Sequence, residues 1–218
     1  MSNEVALRSQ GASDRKALVD AAFRAEYVTV GWMVIEAVVA ITAAVEANSL
    51  ALLAFGIDSI IELLSAGVLI WRLTVEIRRG QHFAERAEQR AARIAGILLF
   101  ALAAYVVIAA AWKLGTQQGA EFSALGLAIT MLAIPIMYFL ARRKLKLAQA
   151  LGSRALRADA VESITCGWLS VVVVVALLVQ LLTRAWWVDP VASLAVVWFL
   201  VREGREAFSG NECSDHCN

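Results

Sequence analysis

Residues 50–71 read LALLAFGIDSIIELLSAGVLIW, an apolar stretch that contains two acids, Asp58 and Glu62. About 20 consecutive apolar residues are enough for a helix to cross a hydrocarbon core of about 30 Å. The stretch therefore predicts a membrane-spanning helix. Two carboxylates one helical turn apart are unusual in such a helix, because ionisable groups are costly inside a membrane.

The rest of the chain repeats this apolar pattern. Of its 218 residues, 60% are hydrophobic, and the mean hydropathy of +0.67 is far above that of an ordinary soluble domain. The apolar residues form six blocks of about the length needed to span a membrane. These blocks cover roughly residues 28–46, 50–71, 94–113, 122–141, 158–182 and 186–201. We therefore expect an all-α integral membrane protein with six transmembrane helices.

The distribution of positive charge predicts the orientation. The net charge is only +1, but all Lys and Arg residues except Lys113 and Arg184 fall on one side of the six predicted spans. Because cytoplasmic loops are enriched in Lys and Arg, we expect both termini in the cytoplasm. As a separate expectation, the chain is a multi-pass protein of the cell inner (cytoplasmic) membrane. The chain then divides into a cytoplasmic N-terminal arm (1–27), a six-helix transmembrane domain (28–208) and a short cytoplasmic tail (209–218). The mildly apolar arm is expected to lie on the membrane surface as a short helix.

The acids inside the predicted spans are the candidates for function. An ionisable side chain at the centre of a span costs about 2.5–3.5 kcal/mol on insertion scales. Span 2 contains Asp58 and Glu62, span 5 contains Asp159 and Glu162, and span 1 contains Glu36. We expect no Lys or Arg at matching depth, so protons or metal ions are better counter-charges than a structural ion pair.

Helical spacing suggests how these acids meet. Asp58 and Glu62 share one face of span 2, and Glu162 and Cys166 have the same spacing of four residues in span 5. Spans 2 and 5 run in opposite directions, so Asp58 would lie level with Cys166, and Glu62 with Glu162. Four such ligands from two helices predict a tetrahedral site for a divalent transition metal. Because these groups must lose protons to bind metal, metal and protons would compete for them.

Three of the candidates have simpler interpretations. Cys166 is equally well explained as a small packing residue. Glu36 and Asp159 are candidates for a proton or ion pathway. Glu36 is, however, also explained as a protonated interior group with hydrogen bonds, and Asp159 as an acid that stabilises the positive end of a helix dipole.

Three stretches resemble the cation diffusion facilitator family. They are NSLALLAFGIDSIIELLSAGV (48–68), ALRADAVESITCGWLSV (155–171) and WWVDPVASLAVVWFLVREGREAF (186–208). The first is similar to the family's second span with its acidic pair. The second is similar to the fifth span with its A-D-x-x-H-x-x-x-D frame, and the third to a sixth span that opens on Asp-Pro. The resemblance covers most of residues 28–208 and includes six spans with cytoplasmic termini.

This resemblance implies proton-coupled export of a divalent transition-metal cation such as zinc, iron or cobalt, by a homodimer in the lipid bilayer. It implies a transporter and not an enzyme, with the metal as transported substrate, no prosthetic group and no nucleic-acid partner. The family's metal site maps onto Asp58 and Glu62 in span 2 and onto Glu162 and Cys166 in span 5. The chain departs from the family where Glu162 replaces the usual His and Cys166 the usual Asp. It is expected to be a short form without the cytoplasmic C-terminal domain.

The tail SGNECSDHCN (209–218) contains three further metal-capable side chains, Cys213, His216 and Cys217. They form a candidate docking site for a soft metal, and a disordered tail is the alternative. The alternative function is a non-transporting membrane protein that binds metal or regulates a partner. An intramembrane hydrolase is the weakest interpretation, because no feature of the sequence suggests a substrate cleft.

Overall fold

The computed structural model describes residues 2–79 and 84–209, and the regular secondary structure within these ranges is α-helical. Short connections join successive helices, as expected where the chain turns at a membrane surface. The helices are α1 (Ser2–Ala47), α2 (Leu50–Arg79), α3 (Ala84–Thr116), α4 (Ala124–Leu151), α5 (Arg154–Thr183) and α6 (Val188–Ser209). The prediction of an all-helical chain is therefore confirmed over the described residues.

Five of the helices are long and apolar enough to cross a membrane. The qualifying stretches, among the residues described, are Ala17–Ala47, Leu50–Trp71, Arg93–Thr116, Ala124–Leu151 and Leu156–Thr183. Helix α6 does not qualify, because Asp189 lies in its first turn and Arg202, Glu203 and Arg205 lie near its end. The sixth span and the cytoplasmic location of both termini therefore stay predictions.

Helix α2 is at the centre of the bundle. It packs against α1, α3, α5 and α6, while α4 packs against α1 and α5. Its buried side chains, such as Leu52 and Phe55, join one hydrophobic core with Met137 of α4, Leu169 of α5 and Leu200 of α6. Residues of α2 can therefore contact side chains from most of the other helices.

The N-terminal arm differs from the prediction of a separate surface helix. Helix α1 continues without interruption from Ser2 to Ala47, so the last part of the arm and the first span are one helix. Ala22 and Ala25 are buried and pack in a second small core with Leu69, Leu147 and Leu156. The end of the arm is thus packed against the ends of α2, α4 and α5.

Asp189 fastens the start of α6 to the start of α2. Its carboxylate accepts hydrogen bonds from the Ser49 hydroxyl (2.6 Å) and from the Leu50 backbone N–H (2.8 Å). The Lys113 ammonium at the end of α3 lies 3.8 Å away. A carboxylate at a helix N-terminus satisfies free N–H groups and stabilises the helix dipole. The Asp-Pro sequence thereby fixes α2, α3 and α6 relative to each other at one end of the bundle.

Candidate metal site

Helix α2 supplies the first two acids of the site. Asp58 is fully buried and Glu62 is 8% exposed. They continue a face of α2 that also buries Phe55, Ala66 and Leu69, at the spacing of three and four residues typical of a helix packed on one side. The acids of residues 50–71 therefore face the interior of the protein and not the lipid.

Helix α6 supplies a third acid, Glu203. Ser193, Val196, Leu200 and Glu203 follow each other at spacings of three and four residues, and all four are buried. This face of α6 packs against α2, α3 and α5. One carboxylate oxygen from each of Asp58, Glu62 and Glu203 lies within 4.8 Å of the other two. We call this group the acidic cluster.

The acidic cluster has few protein partners. Four carboxylate oxygens of the cluster lack a hydrogen-bond partner. They are both oxygens of Asp58, one oxygen of Glu62 and one oxygen of Glu203. Buried carboxylates without partners are costly, and like charges this close repel each other. The cluster is therefore stable only with protons or a cation bound. Carboxylate oxygens are suitable ligands for a divalent metal, and the metal must compete with protons for them.

Glu36 of α1 lies beside the cluster, but its carboxylate has donors. One oxygen accepts hydrogen bonds from the Ser59 hydroxyl (2.8 Å) and from the Cys166 thiol (3.5 Å). The other oxygen accepts one from the Trp32 indole N–H (2.6 Å). This arrangement agrees with the interpretation of Glu36 as a hydrogen-bonded interior group. Its role in a proton pathway stays a prediction.

The structure brings together two of the four predicted ligands. Among the described residues, the acidic cluster adds Glu203 to Asp58 and Glu62 and does not include Glu162 or Cys166. The Cys166 thiol is fully buried and donates to Glu36. Glu162 is half-buried. A four-ligand site with Glu162 and Cys166 therefore stays a prediction.

Asp159 has a partner that the sequence did not predict. The Lys144 ammonium of α4 forms a hydrogen-bonded ion pair with Asp159 and lies 3.4 Å from a Glu26 oxygen of α1. The expectation that no cation reaches the depth of these acids is therefore wrong for Asp159. The fourth apolar block ends at residue 141, but α4 continues to Leu151 and keeps Lys144 buried.

Sequence reasoning missed Glu203, Lys144 and Glu26 for one reason. Each lies just beyond the end of an apolar block, where charged residues are usually solvated. Helical spacing gives the signal that identifies them. Lys144 continues the buried positions Met137, Leu140 and Ala141 of α4, as Glu203 continues those of α6. Extending the apolar periodicity past the hydrophobic segment would have found all three.

The tail candidates Cys213, His216 and Cys217 lie outside the described residues, so the soft-metal site there stays a prediction.

Comparison with known proteins gives a matching family model and a similar transporter. The family model of the cation efflux transmembrane domain matches residues 27–211. An uncharacterised transporter from Synechocystis sp. (strain ATCC 27184 / PCC 6803 / Kazusa) is 30% identical over 153 residues, which are 68% of this chain and 49% of that protein. The chain thus spans about half the length of the curated relative that it matches.

Proposed function

This chain belongs to the cation efflux family, and from that premise we propose that it exports a divalent transition-metal cation across the cell inner membrane in exchange for protons. One observation supports this most strongly. Asp58, Glu62 and Glu203 bring three buried carboxylates together, with four of their oxygens lacking a hydrogen-bond partner. Such a group favours reversible binding of an ion over a permanent structural role, because a structural role would leave the buried charges unpaired.

The transported metal is held by carboxylate oxygens. Asp58 and Glu62 come from one helix and Glu203 from another, so the ligand set changes when α2 and α6 move relative to each other. Glu162 and Cys166 of α5 are the further ligands that we propose for another state of the cycle. Oxygen ligands with one sulfur suit several divalent metals, with zinc, iron and cobalt as the main candidates.

Protons provide the driving force in this proposal. A carboxylate that has gained a proton is a poor metal ligand, so proton entry from outside releases the metal there. Loss of the protons to the cytoplasm then restores the charged site. The working unit is proposed to be a homodimer embedded in the lipid bilayer, which rests on the family resemblance.

Transport in sealed vesicles tests the proposal. Purified chain is reconstituted into liposomes with a pH gradient across the membrane, and Co²⁺ accumulation is measured. We expect Asp58→Asn to abolish accumulation, since Asn has nearly the same shape as Asp but lacks the negative charge that binds the metal. Glu121→Gln, an exposed acid outside the cluster, serves as the matched control and should transport like the wild type.

The same measurement can contradict the proposal. Asp58→Asn transport at the wild-type rate would exclude the acidic cluster as the transport site. If the wild type bound Co²⁺ but did not move it in any gradient, the non-transporting metal-binding alternative would replace export.

A further inference from the structure

A second group of buried charges lies outside the acidic cluster. It consists of Lys144 of α4, Glu26 of α1 and Asp159 of α5, which we call the lysine triad. Lys144 and Glu26 are fully buried and Asp159 is 8% exposed. The ammonium is hydrogen-bonded to Asp159, 3.4 Å from Glu26 and 3.4 Å from the Ser163 hydroxyl. Three helices thus converge on one cation.

The lysine triad has one cation and two carboxyl groups. Lys144 is the one buried cation among the side chains that the structure describes, and it faces two carboxylates. Both oxygens of Glu26 lack a hydrogen-bond partner, although the side chain is fully buried. Hydrogen bonds would be expected to surround a carboxylate in a permanent buried ion pair. The triad therefore has the composition of a cation site that a side chain fills only in part.

The lysine triad is connected to the acidic cluster. Glu26 and Glu36 lie ten positions apart on the buried face of α1, about 15 Å along the helix. On α5, Asp159, Glu162 and Cys166 follow at spacings of three and four residues. Glu162 thus lies one turn from Asp159 in one direction and one turn from Cys166, whose thiol donates to Glu36, in the other.

We propose that Glu26 and Asp159 form a second cation-binding station, which the Lys144 ammonium occupies in this conformation as a tethered cation. This rests on the proposed function and adds a step to it. A divalent ion displaces the ammonium from the two carboxylates and then passes Glu162 to reach the acidic cluster. The flexible lysine side chain returns once the ion has moved on, so the station is never without a cation.

Metal stoichiometry of the purified full chain tests the station without any need for transport. Equilibrium dialysis with Co²⁺ compares the wild type with Lys144→Met. We expect Lys144→Met to bind one more Co²⁺ per chain, because the two carboxylates have lost their tethered cation. The extra ion should persist when Asp58→Asn is added and should disappear when Glu26→Gln is added. Equal stoichiometry in Lys144→Met and the wild type would overturn the proposal.

A second variant keeps the proposal testable if Lys144→Met fails to fold. Lys144→Arg retains the positive charge, and its planar guanidinium binds carboxylates through two parallel hydrogen bonds. A tethered cation that must leave its station would then leave more slowly. We expect Co²⁺ transport to slow by about tenfold, because one additional charged hydrogen bond would hold the side chain in place. The affinity of the acidic cluster for Co²⁺ should not change.

A purely structural ion pair predicts a different result. It would tolerate Lys144→Arg, so a wild-type transport rate in this variant would contradict the station. If no variant and no wild-type sample transports Co²⁺, the proposed function fails, and the stoichiometry measurement still decides the station by itself.

Discussion

Asp58 is fully buried, and neither of its carboxylate oxygens has a hydrogen-bond partner. Glu36, which is also fully buried, accepts hydrogen bonds from Trp32, Ser59 and Cys166. Donors lower the cost of a buried carboxylate, and their absence leaves that task to a proton or a metal ion. The contrast distinguishes Glu36, whose carboxylate is hydrogen-bonded, from Asp58, which we propose as an ion ligand.

Glu203 provides the sharpest test at the residue scale. Glu203→Gln keeps the size of the side chain and removes its charge, so we expect Co²⁺ affinity to fall by about tenfold or more. Glu206→Gln is the matched control, because Glu206 is half-exposed one turn further along α6 and pairs with Arg202. Isothermal titration of both purified variants with Co²⁺ measures the difference. Equal affinities would remove Glu203 from the site.

At the scale of the elements, the position of Asp58 depends on how closely α1 approaches α2. A Cβ added at Gly56 would lie 2.7 Å from Cγ1 of Ile41 and 3.1 Å from its backbone nitrogen. Only a glycine allows the two helices to approach this closely. The contact lies two positions before Asp58, so it also sets where that carboxylate stands relative to Glu36.

Gly56→Ala tests this close approach. We expect it to lower the free energy of unfolding by about 1–3 kcal/mol, because the added methyl group forces α1 and α2 apart. Gly67→Ala on the same helix is the control, since nothing lies within 4 Å of its added Cβ. In Gly67→Ala, the higher helix propensity of Ala should raise the free energy of unfolding by up to about 1 kcal/mol. Thermal unfolding in detergent compares the two, and a loss of stability in both would point away from the α1–α2 contact.

At the scale of the whole molecule, charge is arranged along the interior of the bundle. The acidic cluster joins α2 to α6, and the lysine triad joins α1, α4 and α5. Asp189 connects α6 to the start of α2 at the end where α3 finishes. An ion bound at the acidic cluster would therefore join α2 and α6, which are not consecutive in the chain. Binding should stabilise the fold, since the unfolded chain has no such arrangement.

Thermal stability should consequently depend on metal. At a Co²⁺ concentration of about 100 times its Kd, binding adds about 2.7 kcal/mol, and we expect the Tm of the wild type to rise by about 5–10 °C. Asp58→Asn should lose most of this rise, because it weakens binding to the folded state. Removing the metal with a chelator should restore the original Tm. An equal rise in Asp58→Asn would mean that Co²⁺ binds elsewhere.

The helical architecture was predictable because its causes are local. A hydrocarbon core of about 30 Å fixes the length of each apolar block, and the helical period places Asp58 and Glu62 on one face. These facts are readable within any window of about 20 residues. The end of each helix was less predictable, since α4 and α6 continue past their apolar blocks and bury Lys144 and Glu203 there.

The sequence by itself determined the apolar helices, the acid pair on α2 and the family to which the chain belongs. Only the tertiary structure decided which side chains meet. The Cys166 thiol donates to Glu36, a residue 130 positions away, and in the cluster Glu203 takes the place next to Asp58 and Glu62 that was expected for Glu162. The physical reason is that partners on different helices depend on the rotation and offset of each packed pair. The whole bundle sets these quantities, and no single segment specifies them.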